Sequence, residues 1–138
     1  MGHPADFTAE IREAVVDGMP KLYIDGIKLF NERDFFECHE LFEDLWRRAS
    51  DDDVRFYQGL IQAAACLLHW QRSNFPAATR LANSALEKLN GLPPVMHRLE
   101  LGRFIAEFRA LTQPLLSDKT KLAPLEVKDC PVLVLQPM

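Results

Sequence analysis

The chain has 138 residues and a formal net charge of -4, which fits one domain of ordinary size. Hydrophobic residues make up 48% and charged residues 26%, and this globular composition excludes disorder and fibrous repeats. The acidic balance argues against a nucleic-acid partner, since such proteins usually carry a basic face. We expect no membrane contact and a cytoplasmic location, because the sequence shows neither a signal-peptide pattern nor an apolar run long enough to span a bilayer.

Proline positions divide the chain into a helical part and a tail. None of the nine prolines falls between Pro20 and Pro76, and six occur in the final third of the sequence. Proline disrupts helix interiors. We therefore predict a single helical domain over residues 1–138, with a helical core at 20–112 and an extended tail at 113–138.

The N-terminal part of the core predicts three helices. A short amphipathic helix is expected within residues 1–19. A second helix is expected from Pro20 to Asn31, with the proline in the first turn, where its missing N–H costs nothing. Asp34 is then placed to cap a third helix over Phe35–Ala49 by accepting hydrogen bonds from the free N–H groups.

Three further helices are predicted after the acidic triplet Asp51–Asp53. The segment Val54–Ser73 is apolar nearly all round, so it belongs at the centre of a bundle. Asn74 caps the next helix, which ends at Gly91, and a last helix stops before Pro114. The whole pattern predicts an all-α fold, a compact bundle of five to six helices around one central apolar helix.

Two helical hairpins repeat along the core. The residues Phe35, Cys38, Phe42 and Leu45 have the same spacing as Phe75, Ala78, Ala82 and Ala85, forty positions later. This pattern predicts tetratricopeptide-like hairpins, although the usual period is about thirty-four residues. Any two helical hairpins that pack alike would also produce it.

The tail carries an apolar run, Val132–Leu135. Such a run promotes aggregation when it is exposed. We therefore expect it to pack on the body of the protein or on a partner. The tail is thus the predicted surface for a homodimer or for another protein partner.

Polar residues interrupt the apolar faces of two predicted helices. At about 100° per residue, Glu43 falls about 40° from His39 on the first, and three polar residues share one stripe on the second. A buried polar group without a partner costs about 1–3 kcal/mol, so the two stripes are expected to face each other. This predicted polar cluster consists of His39, Glu43, Gln58, Gln62 and His69, with Glu40 at its edge and Trp46 packing beside it.

Two interpretations of the polar cluster stay open. In the structural one, its carboxylate and amides hydrogen-bond the imidazoles and fix the register of the helices. In the functional one, it lines a small pocket, with His39 and Glu43 as catalytic candidates or with His39, Glu43 and His69 as metal ligands. The string His39-Glu40-x-x-Glu43 lacks the second histidine of the zinc-protease motif. The remaining core histidine, His97, is expected to be exposed in a turn.

The residues around the cluster resemble a known family. The block Phe35-Phe36-Glu37-Cys38-His39-Glu40 followed by Trp46, and the block Tyr57–Ala65 followed by His69 and Asn74, are similar to the signature of domain of unknown function family 309. The resemblance implies a small all-helical bundle around a central helix. It also implies that the seven residues of the polar cluster are characteristic positions of the family, but it implies no activity and no cofactor.

Two functions are compatible with these observations. The first is a cytoplasmic helical protein whose polar cluster forms a small ligand or metal pocket. The second is a helical-repeat module for protein–protein interaction, in which the polar cluster is purely structural.

Overall fold

The computed structural model describes residues 14–117 and 122–137 of the chain. Within these ranges the chain forms five α-helices and two short β-hairpins, one before the first helix and one before the last. In chain order the elements are β1 (Val15–Val16), β2 (Met19–Pro20), α1 (Lys21–Asn31), α2 (Phe35–Arg47), α3 (Asp52–Gln71), α4 (Phe75–Leu89), β3 (Val95–Met96), β4 (Leu99–Glu100) and α5 (Leu101–Leu116). A 3₁₀ turn at Val127–Asp129 lies in the otherwise irregular tail. The predicted all-α class is confirmed.

The predicted caps set the starts of two helices. The Asp34 carboxylate accepts a hydrogen bond from the Glu37 backbone N–H at 3.3 Å. The Asn74 side chain accepts one from the Ala77 N–H at 3.4 Å. Both contacts satisfy N–H groups that have no partner inside the helix, so these two predictions are confirmed.

Two predicted elements differ from the structure. Most of the predicted first helix, residues 1–13, lies outside the described residues, while Val15–Val16 is a strand that pairs with β2. The β1–β2 turn has positive φ at Asp17 and Gly18 (52° and 80°), which is typical of a type I′ hairpin. The last helix continues past Pro114 to Leu116, because Leu115 packs in the core and a proline near the end of a helix removes a single backbone hydrogen bond.

Helix α3 lies at the centre of the bundle, as predicted. It packs between α2 and α4 and contributes nine buried residues, more than any other helix described. Aromatic rings close the bundle around it. Tyr23 of α1 contacts Phe56 of α3 with ring centroids 6.1 Å apart, and Phe30 of α1 contacts Phe104 of α5 at 5.6 Å.

The forty-residue repeat corresponds to two helical hairpins with the same turn. Arg33 and Ser73 stand at equivalent places and both have left-handed φ, at 70° and 60°. In each turn the capping residue donates its backbone N–H to a carbonyl five positions earlier, at 2.9 Å from Asp34 and 2.8 Å from Asn74. The sequence repeat therefore reflects a repeated local conformation.

The tail packs on the body of its own chain. The Asn31 side chain donates to the Leu133 carbonyl at 2.9 Å and accepts from the Leu133 N–H at 2.7 Å. The Glu100 N–H also donates to the Val134 carbonyl, at 2.9 Å. Leu133 is consequently only 2% exposed, so the prediction that the apolar run is packed is confirmed. Among the residues that the structure describes, no helix is both long and apolar enough to cross a membrane.

Close helix contacts predict the effect of a glycine substitution. A Cβ added at Gly26 in α1 would lie 2.6 Å from Cε1 of Phe42, which is fully buried. We expect Gly26→Ala to lower the free energy of unfolding by about 1–3 kcal/mol, since overpacked cores must shift. At Gly102 the nearest atom would be 3.4 Å away, so Gly102→Ala serves as the control and is expected to be neutral or stabilising. Urea denaturation of both variants tests this, and equal stabilities would contradict it.

Candidate functional site

Three side chains of α2 satisfy one another along their own helix. Nε2 of His39 lies 2.7 Å from Oε2 of Glu43, and Arg47 donates to the other oxygen of this carboxylate at 2.9 Å. The exposed ring of Phe36 stacks on the imidazole of His39, with centroids 6.3 Å apart. All these contacts join residues three or four positions apart, a spacing that stabilises helices modestly.

The polar cluster is half-buried rather than buried. The side chains of His39 and Glu43 are 29% and 26% exposed to solvent, and Glu40 is exposed. The remaining members are half-buried, namely Trp46, Gln58, Gln62 and His69. A helical wheel predicts which residues share a stripe. It does not predict whether a neighbouring element covers that stripe, and here each member retains contact with solvent.

The contacts do not join all members of the polar cluster. His69 lies in the last turn of α3, and its Nδ1 is 3.4 Å from the Asn74 side-chain nitrogen. Two buried atoms, Nε1 of Trp46 and Oε1 of Gln62, have no hydrogen-bond partner in the part of the chain that the structure describes. Within residues 14–117 and 122–137, no group of three or more His, Cys, Asp or Glu side chains is placed to hold a metal ion. The candidate ligands His39, Glu43 and His69 therefore do not form such a group.

A second group of polar and aromatic residues surrounds His97. Its Nε2 lies 2.7 Å from Oδ1 of Asp53, and its ring is parallel to that of Tyr57, with centroids 6.2 Å apart. Phe56 contacts the same imidazole at 5.1 Å, and the Tyr23 hydroxyl donates to the His97 carbonyl at 3.0 Å. The expectation that His97 is simply exposed is therefore wrong.

The turn that carries His97 has an unfavourable backbone conformation. His97 and its neighbour Arg98 have φ of 50° and 62°, and left-handed conformations cost non-glycine residues about 1–2 kcal/mol each. Side-chain contacts hold the turn in place. Arg98 donates to the Gln136 carbonyl at 2.7 and 3.0 Å and to the Asp17 carbonyl at 3.0 Å. Strain that is held in this way is common at functional sites.

A cleft adjoins this group and has a volume of about 460 Å³. It lies between the β1–β2 hairpin, the end of α2 and the start of α3. Its lining consists of Val15, Gly18, Pro20, Leu45, Arg48, Ala49, Asp53 and Tyr57. We call it the hairpin cleft. Its volume is in the range of small-molecule sites.

Tyr57 forms part of the buried wall of the hairpin cleft. It is only 6% exposed, and its hydroxyl has no hydrogen-bond partner among the described residues. Burial, and then the negative charge of Asp53, raise the pKa of Tyr57 to about 12, while the positive charge of Arg48 acts in the opposite direction. The hydroxyl is therefore neutral near pH 7 and remains a hydrogen-bond donor.

The buried cysteines are unsuited to nucleophilic chemistry. Burial raises the pKa of the Cys66 thiol to about 12 and raises that of Cys38 well above its usual range. Because the thiolate is the reactive form, these two residues behave as small apolar side chains.

Comparison with known proteins agrees with the resemblance seen in the motifs. Residues 23–81 match the family model described as Domain of unknown function (DUF309). This segment is thus similar to the DUF309 family over somewhat less than half of the chain. It contains the whole polar cluster together with Asp53 and Tyr57, whereas His97 lies outside it.

Two relatives carry no described activity. The chain is 44% identical over 68 residues to the uncharacterized protein YpuF of Bacillus subtilis (strain 168). This alignment covers 47% of the chain and 39% of YpuF. It is also 28% identical over 100 residues to an uncharacterized protein of Aquifex aeolicus (strain VF5). That alignment covers 72% of this chain and 29% of the relative. The aligned part thus spans well under half the length of both relatives. No solved structure matches the chain.

The raised pKa of Tyr57 predicts that the free energy of unfolding falls at alkaline pH. A tyrosine in the unfolded chain ionises near pH 10, while Tyr57 in the folded protein does so near pH 12. Above pH 10 the unfolded state loses this proton first, so the free energy of unfolding falls as pH rises. Removing the hydroxyl abolishes this contribution.

We expect Tyr57→Phe to lose about 1 kcal/mol less stability than the wild type between pH 8 and pH 11. Urea denaturation at both pH values measures the difference. The other buried phenol and thiols contribute equally to both proteins. If the free energy of unfolding fell equally in the two proteins, the pKa of Tyr57 would not be raised by folding.

Proposed function

We propose that the protein is a helical interaction module that binds a basic segment of another protein along one side of α2. The contact surface is formed by Phe36, His39, Glu40, Glu43 and Arg47, which we call the α2 outer face. The observation that carries the proposal is the aromatic ring of Phe36 on this face, which is 51% exposed and stacks on the imidazole of His39.

Charge favours a basic partner. Helix α2 carries Glu37, Glu40, Glu43 and Asp44 against Arg47 alone in the same helix. An acidic face attracts basic segments and disfavours acidic ones. The exposed ring of Phe36, next to these carboxylates, adds an apolar contact of the kind that is common at protein interfaces.

The structural interpretation of the polar cluster fits this function better than a catalytic or metal pocket. Both oxygens of the Glu43 carboxylate are engaged, one by His39 and one by Arg47. A carboxylate held in this way is poorly placed to act as a general base. The side chain of His69 contacts that of Asn74, five positions later in the sequence, which supports a local structural role.

The location and repeat architecture complete the proposal. The three free cysteines suit a reducing compartment such as the cytoplasm. We regard residues 1–138 as one domain with tetratricopeptide-like hairpins. We assign the partner to the α2 outer face and not to the tail, because the tail packs on its own chain through Leu133.

Site-specific photo-crosslinking in the native host tests the proposal. A benzoylphenylalanine placed at position 36 is compared with one at position 127, because Phe36 and Val127 are both 51% exposed. We expect position 36 to capture a lysine- or arginine-rich segment of another protein. Reversing one charge with Glu40→Lys should reduce the yield about fivefold, which corresponds to about 1 kcal/mol.

Three outcomes would contradict the proposal. They are equal capture at the two positions, capture of an acidic segment, and a yield that Glu40→Lys leaves unchanged. Capture of a second copy of this chain would also contradict it, and would instead support the predicted homodimer.

A further inference from the structure

We propose that the hairpin cleft binds a small zwitterionic amino acid with an apolar side chain. This site is separate from the α2 outer face, so neither proposal depends on the other. Three features of the cleft support this ligand, namely the Tyr57 hydroxyl in its wall, two opposite charges among the residues that line it, and an otherwise mostly apolar lining.

The Tyr57 hydroxyl is a donor without an acceptor. Tyr57 is almost fully buried, it lines the cleft, and none of the described residues accepts a hydrogen bond from its hydroxyl. Its ring is held in place by contacts with Phe56 and with the imidazole of His97. The hydroxyl is therefore fixed beside the cleft, where a ligand oxygen can accept its hydrogen bond.

Arg48 and Asp53 supply opposite charges to the same cleft. The two charges act on the pKa of Tyr57 in opposite directions, and all three residues line the same cleft. Arg48 already has another interaction, but a guanidinium has five N–H donors and can hold a carboxylate as well. The hydroxyl and the guanidinium together suit the carboxylate end of a ligand.

Asp53 suits the ammonium end of the same ligand. Its Oδ1 is held by His97 at 2.7 Å, and its other oxygen has no hydrogen-bond partner among the described residues. The strained turn at His97 thus fixes the orientation of this carboxylate. A single cation or anion would leave one of the two charges of the cleft unmatched, whereas a zwitterion matches both.

The rest of the lining selects the side chain of the ligand. Val15, Pro20, Leu45 and Ala49 provide apolar surface, which favours an aliphatic or aromatic group over a charged one. The volume of about 460 Å³ accommodates a single amino acid and bound water, and it is too small to enclose a folded partner.

The first test titrates the full chain with L-leucine, L-methionine and L-phenylalanine. Backbone amide resonances of Gly18, Ala49 and Tyr57 report on the cleft, and calorimetry gives the dissociation constant. We expect at least one of the three probes to shift these resonances. N-acetyl-leucine, which lacks the ammonium, and leucinamide, which lacks the carboxylate, should each bind at least about tenfold more weakly than leucine.

The second test changes the protein. We expect Tyr57→Phe to weaken binding about fivefold and Arg48→Gln to weaken it about tenfold. Arg80→Gln is the matched control, since Arg80 is exposed on α4 and does not line the cleft, and it should bind normally. Circular dichroism establishes that each variant is folded.

The proposal is overturned if none of the three amino acids binds at about 10 mM, which corresponds to an affinity weaker than about 3 kcal/mol. It is also overturned if leucinamide or N-acetyl-leucine binds as well as leucine, or if Arg80→Gln and Arg48→Gln weaken binding equally. The comparison of probes uses the unchanged protein, so the test does not depend on how well any variant folds.

Discussion

The fold depends on the need to cover α3 on nearly every side. Its apolar residues point in all directions, so the hydrophobic effect stabilises it only when other elements surround it. Helices α2 and α4 lie on two of these sides. The helices can pack this closely only where glycine leaves room for a neighbouring side chain. A Cβ atom at Gly59 would overlap Leu89 of α4, and one at Gly26 would overlap Phe42 of α2.

Features set by neighbours in sequence were predictable, and features set by distant contacts were not. Asp34 and Asn74 act within one turn of themselves, so residue type and spacing sufficed to predict their caps. The β1–β2 hairpin also had a local signal, since Asp17-Gly18 between apolar residues is typical of a type I′ turn. That signal was overridden by a fourfold apolar spacing that favours a helix. The β3–β4 turn had none, because its central residues, His97 and Arg98, are poor formers of such turns.

The same distinction applies to the candidate site. The helical wheel placed His39 and Glu43 on one stripe, and their contact follows from it. The degree of burial was not predictable, because it depends on what lies beside α2 in space. The pair of Asp53 and His97 joins residues 44 positions apart. Only the packing of the β3–β4 turn against the start of α3 brings them together, and no pattern in either segment indicates the other.

The contacts of the tail also determine the order in which the structure can form. Asn31 bonds to Leu133, 102 positions away, and Arg98 bonds to Gln136. The two helical hairpins need only neighbouring segments, whereas the strained turn at His97 lacks the contacts between Arg98 and Gln136 until the tail is in place. Folding rates fall as such distant contacts become more important. The turn that carries His97 therefore has its full set of hydrogen bonds only when the tail is packed against it.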